Sequence, residues 1–270
     1  MRTVFVHVIA VLLVITYTNM FVAWRFIGQQ FGRGVVDALP FIVVGVAFVL
    51  IAVFLALQLR RGGMTIAWPW LVAAVAMVLV GLGSTDPIYA AKRIHVPQYA
   101  LLGLVVWFSI KSADQTPRTL FLVILAGALY GVHDEFLQGI HPQRSFGIRD
   151  MLTDVCGVLA GVFFVRAIAK VPTRKKPEAG IGKVDYGLVG IVSTVIVGVV
   201  LLAFAGVAFR FDLIPYWSVL PVLAAAVTVA LWAERQDEPG DRAAIRAISA
   251  ICMLFAIYPL VINVALLDFA

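Results

Sequence analysis

Nine apolar stretches separated by short polar ones run through the chain, at about 4–24, 38–59, 64–83, 95–110, 120–139, 150–170, 187–207, 216–233 and 247–267. Stretches of about 20 apolar residues are long enough to cross a bilayer as helices. The pattern therefore predicts an all-α, polytopic transmembrane helix bundle of about nine spans. Pro87, Pro117 and Pro215 stand before or at the start of predicted spans, where a missing amide hydrogen costs little. A basic stretch, VPTRKKPEAGIGKVD, interrupts the series after the sixth span. It suggests four parts: a two-helix N-terminal part (1–63), a helical core (64–170), a basic cytoplasmic linker (171–186) and a three-helix C-terminal part (187–270).

Composition agrees with the pattern. The chain is 62% hydrophobic and 13% charged, with a mean hydropathy of +1.01. A water-soluble domain carries about a quarter charged residues. The apolar run after Arg2 is too long for a secretory leader and lacks a small-residue cleavage site, so it reads as a retained first helix. Both cysteines, Cys156 and Cys252, fall within apolar stretches, which fits buried packing rather than a disulfide framework.

The net charge of +6 comes from scattered loop residues and gives no nucleic-acid footprint. With the N-terminus inside, Arg25, Arg33, Lys92, Arg93, Arg144, Arg149 and Arg210 face outward, and the other fourteen of the 21 Lys and Arg face the cytoplasm. That bias sets the orientation in the cell (cytoplasmic) membrane. Most of the tryptophans sit near predicted span ends, as interfacial residues do.

Two polar clusters interrupt this economy of charge, and both fall on the extracytoplasmic side. The first is Lys92-Arg93-Ile94-His95-Val96-Pro97-Gln98-Tyr99; the second runs from His133-Asp134-Glu135 through Gln138, His141 and Arg144 to Asp150 and Asp154. Ionisable groups at membrane depth are costly, face a bundle interior and mark function. Helical spacing puts Lys92, His95, Tyr99 and Gly103 on one face, and Gly127, Gly131, Asp134 and Gln138 on another. Asp150, Asp154, Gly157 and Gly161 form a third such stripe. Two stripes continue inward as GxxxG, Gly127–Gly131 and Gly157–Gly161, spacings that let backbones approach closely in lipid. Their expected effect is to press the fifth and sixth spans together and bring Asp134 near Asp154.

Lys92-x-x-His95-x-x-x-Tyr99, Asp134-Glu135-x-x-Gln138, Pro142-x-Arg144, Asp150 and Gly157-x-x-x-Gly161 together resemble the VanZ-like membrane proteins over about residues 64–170. The resemblance implies a compact helical core tied to the cell envelope and, in the namesake, to teicoplanin-type glycopeptide resistance. It carries no molecular activity. The chain departs from the family pattern at Ala91, where Asp is frequent, at Pro97, where an aromatic or aliphatic residue is common, and at Asp154, where Asn is common.

Asp134, Glu135, His95 and Asp150 are the catalytic candidates, for proton or metal chemistry. Lys92, Tyr99, Gln138, Arg144 and Asp154 are the substrate-binding candidates. Arg144 has the planar fork that suits phosphate or carboxylate, whereas Arg93 reads as an interfacial anchor. His133 and His141 match no family position. Oxygen and imidazole donors would suit Mg²⁺, Mn²⁺ or Zn²⁺, yet no diagnostic metal spacing is present and the cofactor stays open.

Three functions fit. The first is action at the outer face on an anionic cell-envelope or lipid-linked substrate, with membrane lipids as partners. The second is a transporter or lipid flippase gated by a proton-linked polar cluster. The third is a non-catalytic scaffold whose charges only lock helices together. Val105, Ile124 and Val162 on the cytoplasmic half favour a one-sided site over a channel. A single cysteine introduced at Ser145 in a cysteine-free background should react with an impermeant maleimide added outside intact cells. Labelling only after the cytoplasmic side is opened would reverse the orientation.

Overall fold

The computed structural model describes residues 2–61, 65–85, 89–109, 117–141, 143–168, 186–210, 212–237, 239–265 and 267. Among the described residues ten α-helices follow one another: α1 (Arg2–Thr18), α2 (Met20–Phe31), α3 (Arg33–Arg60), α4 (Trp68–Ser84), α5 (His95–Ser109), α6 (Pro117–Gly139), α7 (Ile148–Ile168), α8 (Tyr186–Ala208), α9 (Val219–Ala233) and α10 (Pro239–Ala265). Short 3₁₀ turns, Ala90–Ile94 and Tyr216–Ser218, lead into α5 and α9. Among the described residues there is no strand, so the all-α expectation holds. The expected linker falls outside the described residues, apart from Tyr186. So do Pro87, Pro142 and the cations Lys111, Lys170, Arg174, Lys175, Lys176 and Lys183.

Among the described residues, seven helical stretches are long and apolar enough to cross a membrane: Val8–Phe31, Arg33–Arg60, Arg118–Gly139, Ile148–Ile168, Gly187–Ala208, Tyr216–Ala233 and Asp241–Ala265. The 17-residue α4 and the 15-residue α5 are shorter. At 1.5 Å per residue they reach roughly 25 Å and 22 Å, and the 3₁₀ turn ahead of α5 adds about 2 Å per residue. The first predicted span is interrupted at Asn19, whose side-chain amide donates to the Ile15 carbonyl at 2.8 Å. Gly32, at φ +83°, turns the chain into α3, which begins five residues before the expected start. The last helix starts eight residues early, at Pro239, because proline suits the first helical position and Asp241 suits the first turn.

Two units emerge from the contacts. One comprises residues 1–109, 130–134 and 147–170; the other comprises 110–129, 135–146 and 171–270. In the first, α7 packs on both α4 and α5, and α1 packs on α5. Glycine makes the α5–α7 crossing close. A Cβ on Gly161 would lie 2.1 Å from the Ala100 carbonyl oxygen, and one on Gly157 would lie 2.6 Å from Tyr99 Cβ and 2.8 Å from the Val96 carbonyl oxygen. From the other helix, a Cβ on Gly103 would meet the Val158 carbonyl oxygen at 2.7 Å. The second GxxxG therefore seats α7 on α5 rather than on α6, as expected from the sequence. Gly131 of the first motif does approach α7, where a Cβ would lie 2.9 Å from Asp154 Cβ.

In the second unit, α9 packs on α8 and α10, and Phe136 gathers Phe146, Phe255 and Tyr258 within 5.2–5.7 Å between ring centres. Asn263 uses its amide to bond both the N–H and the C=O of Ile214, at 2.9 and 2.8 Å. Such a bridge is valuable where no water is available to satisfy backbone groups. Both cysteines are buried free thiols. By contrast, α3 exposes Phe48, Leu50 and Val53, as a helix bathed in lipid does, since acyl chains are as apolar as these side chains.

Substituting Gly161→Ala should lower the unfolding free energy in detergent by about 1–3 kcal/mol, the cost of overpacking against a backbone that cannot retreat. Gly45→Ala, whose added methyl meets nothing within 4 Å, should change the melting temperature little. Equal effects of the two would remove the crossing from its place in the fold.

Candidate functional site

The close α5–α7 crossing aligns two short ladders of ionisable groups. Lys92 sits in the 3₁₀ turn before α5, and His95 is the first residue of α5. Opposite them, Asp150 lies in the first turn of α7, and Asp154 lies one turn further on. The three-residue step on one strand of the ladder matches the four-residue step on the other, because both are about one helical turn.

The outer rung joins Lys92 Nζ to Asp150 Oδ2 at 2.5 Å; the Lys92 side chain is 30% exposed and that of Asp150 only 2%. Asp150 also gains from its position in the first turn of α7, where free backbone N–H groups favour negative charge. The inner rung joins His95 Nδ1 to Asp154 Oδ1 at 2.8 Å, with both side chains buried. With Asp154 ionised, the imidazole carries its proton on Nδ1 and donates it to the carboxylate, which leaves Nε2 with a basic lone pair. The Tyr99 ring, wholly buried, stacks on His95 with 6.0 Å between centres.

A third group comes from α6. Asp134 is one turn beyond Gly131, on the same face, so the glycine that lets α6 approach Asp154 also carries Asp134 there. His95, Asp134 and Asp154 each offer a ligand atom, and these atoms lie within 4.8 Å of one another. The Thr18 hydroxyl of α1 lies 2.5 Å from Asp134 Oδ1 and 3.0 Å from the Val14 carbonyl, its single proton serving either. The neighbouring Tyr17 donates its hydroxyl to the Gln98 carbonyl at 3.0 Å and packs its ring 5.8 Å from that of Tyr99.

Two carboxylates this close in a dry site repel, and added positive charge relieves them. A proton shared between them, an imidazolium or a divalent cation would each serve. The donor set, one imidazole and two carboxylates, is one that Zn²⁺ or Mn²⁺ accepts.

The other candidates belong to the second unit. Glu135 follows Asp134 on α6 and is fully buried. Gln138, also buried, accepts a hydrogen bond from the half-buried guanidinium of Arg144. His133 is buried, and His141 Nδ1 accepts the Gln143 backbone N–H at 3.2 Å. In the first unit, Lys92, Tyr99 and Asp154, expected among substrate contacts, are engaged by Asp150, His95 and His95 respectively. Tyr17 and Thr18 were not foreseen as site residues. Their only sequence signal is a polar Thr-Tyr-Thr-Asn run, residues 16–19, inside an apolar stretch.

A family model described as VanZ/LLP1 matches residues 4–169. That is more than half of the chain, and the chain belongs to this family. The match takes in α1 to α3, which the sequence motifs alone left outside. No curated protein and no solved structure matches the chain.

Lys92→Met and Asp150→Leu should each lower stability in detergent by about 1–3 kcal/mol, because each strands a charge that lost its partner. The double variant should cost clearly less than the two singles combined, a coupling that denaturation of all four proteins would measure. Additive losses would mean that the rung contributes nothing to the fold.

Proposed function

We propose that this VanZ/LLP1-family membrane protein acts at the extracytoplasmic face of the cell membrane on an anionic cell-envelope or lipid-linked substrate. The observation that carries the reading is the buried cluster of His95, Asp134 and Asp154, set one rung below the partly exposed Lys92–Asp150 pair. In this reading Lys92 attracts an anionic headgroup on the first unit; on the second, Arg144, whose guanidinium Gln138 orients, offers the same chemistry. His95, oriented by Asp154 through Nδ1, moves a proton at Nε2, and Asp134 supplies the second carboxylate. Tyr99 holds the imidazole plane. Asp150 sets the position of Lys92, and Glu135 adds a carboxylate from the same helix as Asp134. A divalent cation bound by His95, Asp134 and Asp154 would supply Lewis acidity at the same place. Activity of this kind would bear on susceptibility to teicoplanin-type glycopeptides.

A transporter would need polar groups along a path across the membrane. Away from the cluster, α5 and α7 present Leu102, Val106, Val158 and Val162, all apolar and fully buried, which supports a one-sided site. The positive-inside bias of the loops supports placing that site outside.

The test is mass spectrometry of polyprenyl-phosphate and lipid-linked envelope precursors incubated with the purified protein, with and without Mn²⁺ or Zn²⁺. Conversion is expected for the wild type and should fall at least about a hundredfold in Asp134→Asn and Glu135→Gln variants that keep the wild-type melting profile. Equal conversion by the variants would remove the carboxylates from the chemistry. Absence of conversion across the panel would overturn the enzymatic reading in favour of binding or transport.

A further inference from the structure

Inward of the ladder, the first unit holds an apolar cavity of about 350 Å³, walled by α3 and α4 and floored by α5 and α7. That volume lies within the roughly 300–1,000 Å³ of small-molecule pockets. Small side chains make the room. Ala52 and Ala74 stand in the walls, and Ala100, Ala160 and Gly161 form the floor. Larger apolar groups, among them Phe48, Leu55, Val78 and Leu104, complete the lining, so the cavity offers nothing to a polar ligand.

The cavity has a polar end. Phe41, Phe48 and Leu55 are spaced by seven residues and so lie along nearly one face of α3, each about 10 Å from the next. The Arg93 guanidinium lies 5.1 Å from the centre of the Phe41 ring. The cavity begins at Phe48, two turns further along that same face. The floor helices α5 and α7 run in the same sense. On α5 the ladder residue His95 precedes the floor residue Ala100 by five positions, and on α7 Asp154 precedes Ala160 by six. Lys92 is committed to Asp150, whereas Arg93 has no ion pair among the described residues and is partly exposed. A cation thus stands beside Phe41, two helical turns along α3 from the start of an apolar slot, both on the first unit.

We infer that this slot seats the hydrocarbon tail of an anionic phospholipid whose phosphate is held by Arg93. The inference rests on the reading of a lipid-linked anionic substrate and specifies where such a molecule lies. Charge complementarity selects the occupant. A guanidinium pairs a phosphate with two parallel N–H···O bonds, and a zwitterionic lipid offers the same phosphate with its charge offset by the choline. Phe48 and Ala52 of α3 and Val75 of α4, all in the lining, are exposed, which gives a tail its way in.

Nanodiscs of dioleoyl phosphatidylcholine containing the full chain would be doped with phosphatidylglycerol that carries a photoactivatable diazirine in mid-chain. A parallel set would carry the phosphatidylcholine analogue with the same tail. After irradiation, peptide mapping should place adducts at Phe48, Leu55 and Val78, about tenfold more with the anionic probe, as one charge-assisted hydrogen bond implies. Arg93→Gln should bring the anionic probe down to the zwitterionic level. Ala52→Trp, a change at a lipid-exposed wall position, should abolish labelling by both probes. Equal labelling by the two probes with no effect of Arg93→Gln would make the slot a seat for bulk lipid and overturn the inference. Adducts spread evenly to Leu50 and Val53, or cross-links between two copies of the chain in place of lipid adducts, would also overturn it. The assay reads binding without turnover. Loss of labelling with conversion intact would move the substrate's seat, whereas labelling without conversion would refute the chemistry and leave the seat.

Discussion

The close crossing of α5 and α7 is the constraint on which the polar site depends. In a bilayer no hydrophobic force drives helices together, because lipid tails are as apolar as leucine; contact comes from van der Waals packing at short range. Gly103, Gly157 and Gly161 permit a separation at which a methyl group would sit 2.1–2.7 Å from the partner helix's atoms. At that separation a lysine reaches one aspartate and a histidine the next. A wider crossing would leave Asp150 and Asp154, both buried, without the groups that satisfy them.

The remaining polar contacts elaborate that crossing. Gly131 brings a short stretch of α6 against Asp154, and Asp134 arrives with it. α1 then closes the cluster through Thr18 on Asp134 and Tyr17 on the Gln98 carbonyl. Water is scarce at this depth, and each polar atom left unbonded costs a few kcal/mol. The first helix therefore belongs to the site although nothing about its composition announces chemistry. The family match from residue 4 to 169 covers the same ground.

Burial also shapes the chemistry available. The two rungs differ in access: Lys92 is partly open while His95, Asp134 and Asp154 are buried. A charged headgroup can approach the outer rung without entering the inner one, and a proton or a small cation can occupy the inner one. Beneath both, an apolar slot continues along α3. A partly exposed ion pair, a buried polar cluster and an apolar cavity thus follow one another along the first unit.

The chain by itself determined that the protein is a helical membrane bundle, since 62% hydrophobic residues in stretches near 20 long admit little else. It also marked where polar groups gather, because ionisable groups in apolar segments are costly and stand out. Periodicity even put Lys92 with His95 and Asp150 with Asp154 on single faces. Which faces meet was decided only in three dimensions. The Gly157–Gly161 motif allows close approach to any helix, and spacing does not name the partner; packing gave it α5. The pairing of Lys92 with Asp150 and the recruitment of Thr18 by Asp134, 116 residues away in sequence, both depend on contacts between distant segments. Periodicity along one helix is a local property, whereas the choice among several apolar faces of similar composition depends on small differences in shape that appear only when the helices are packed.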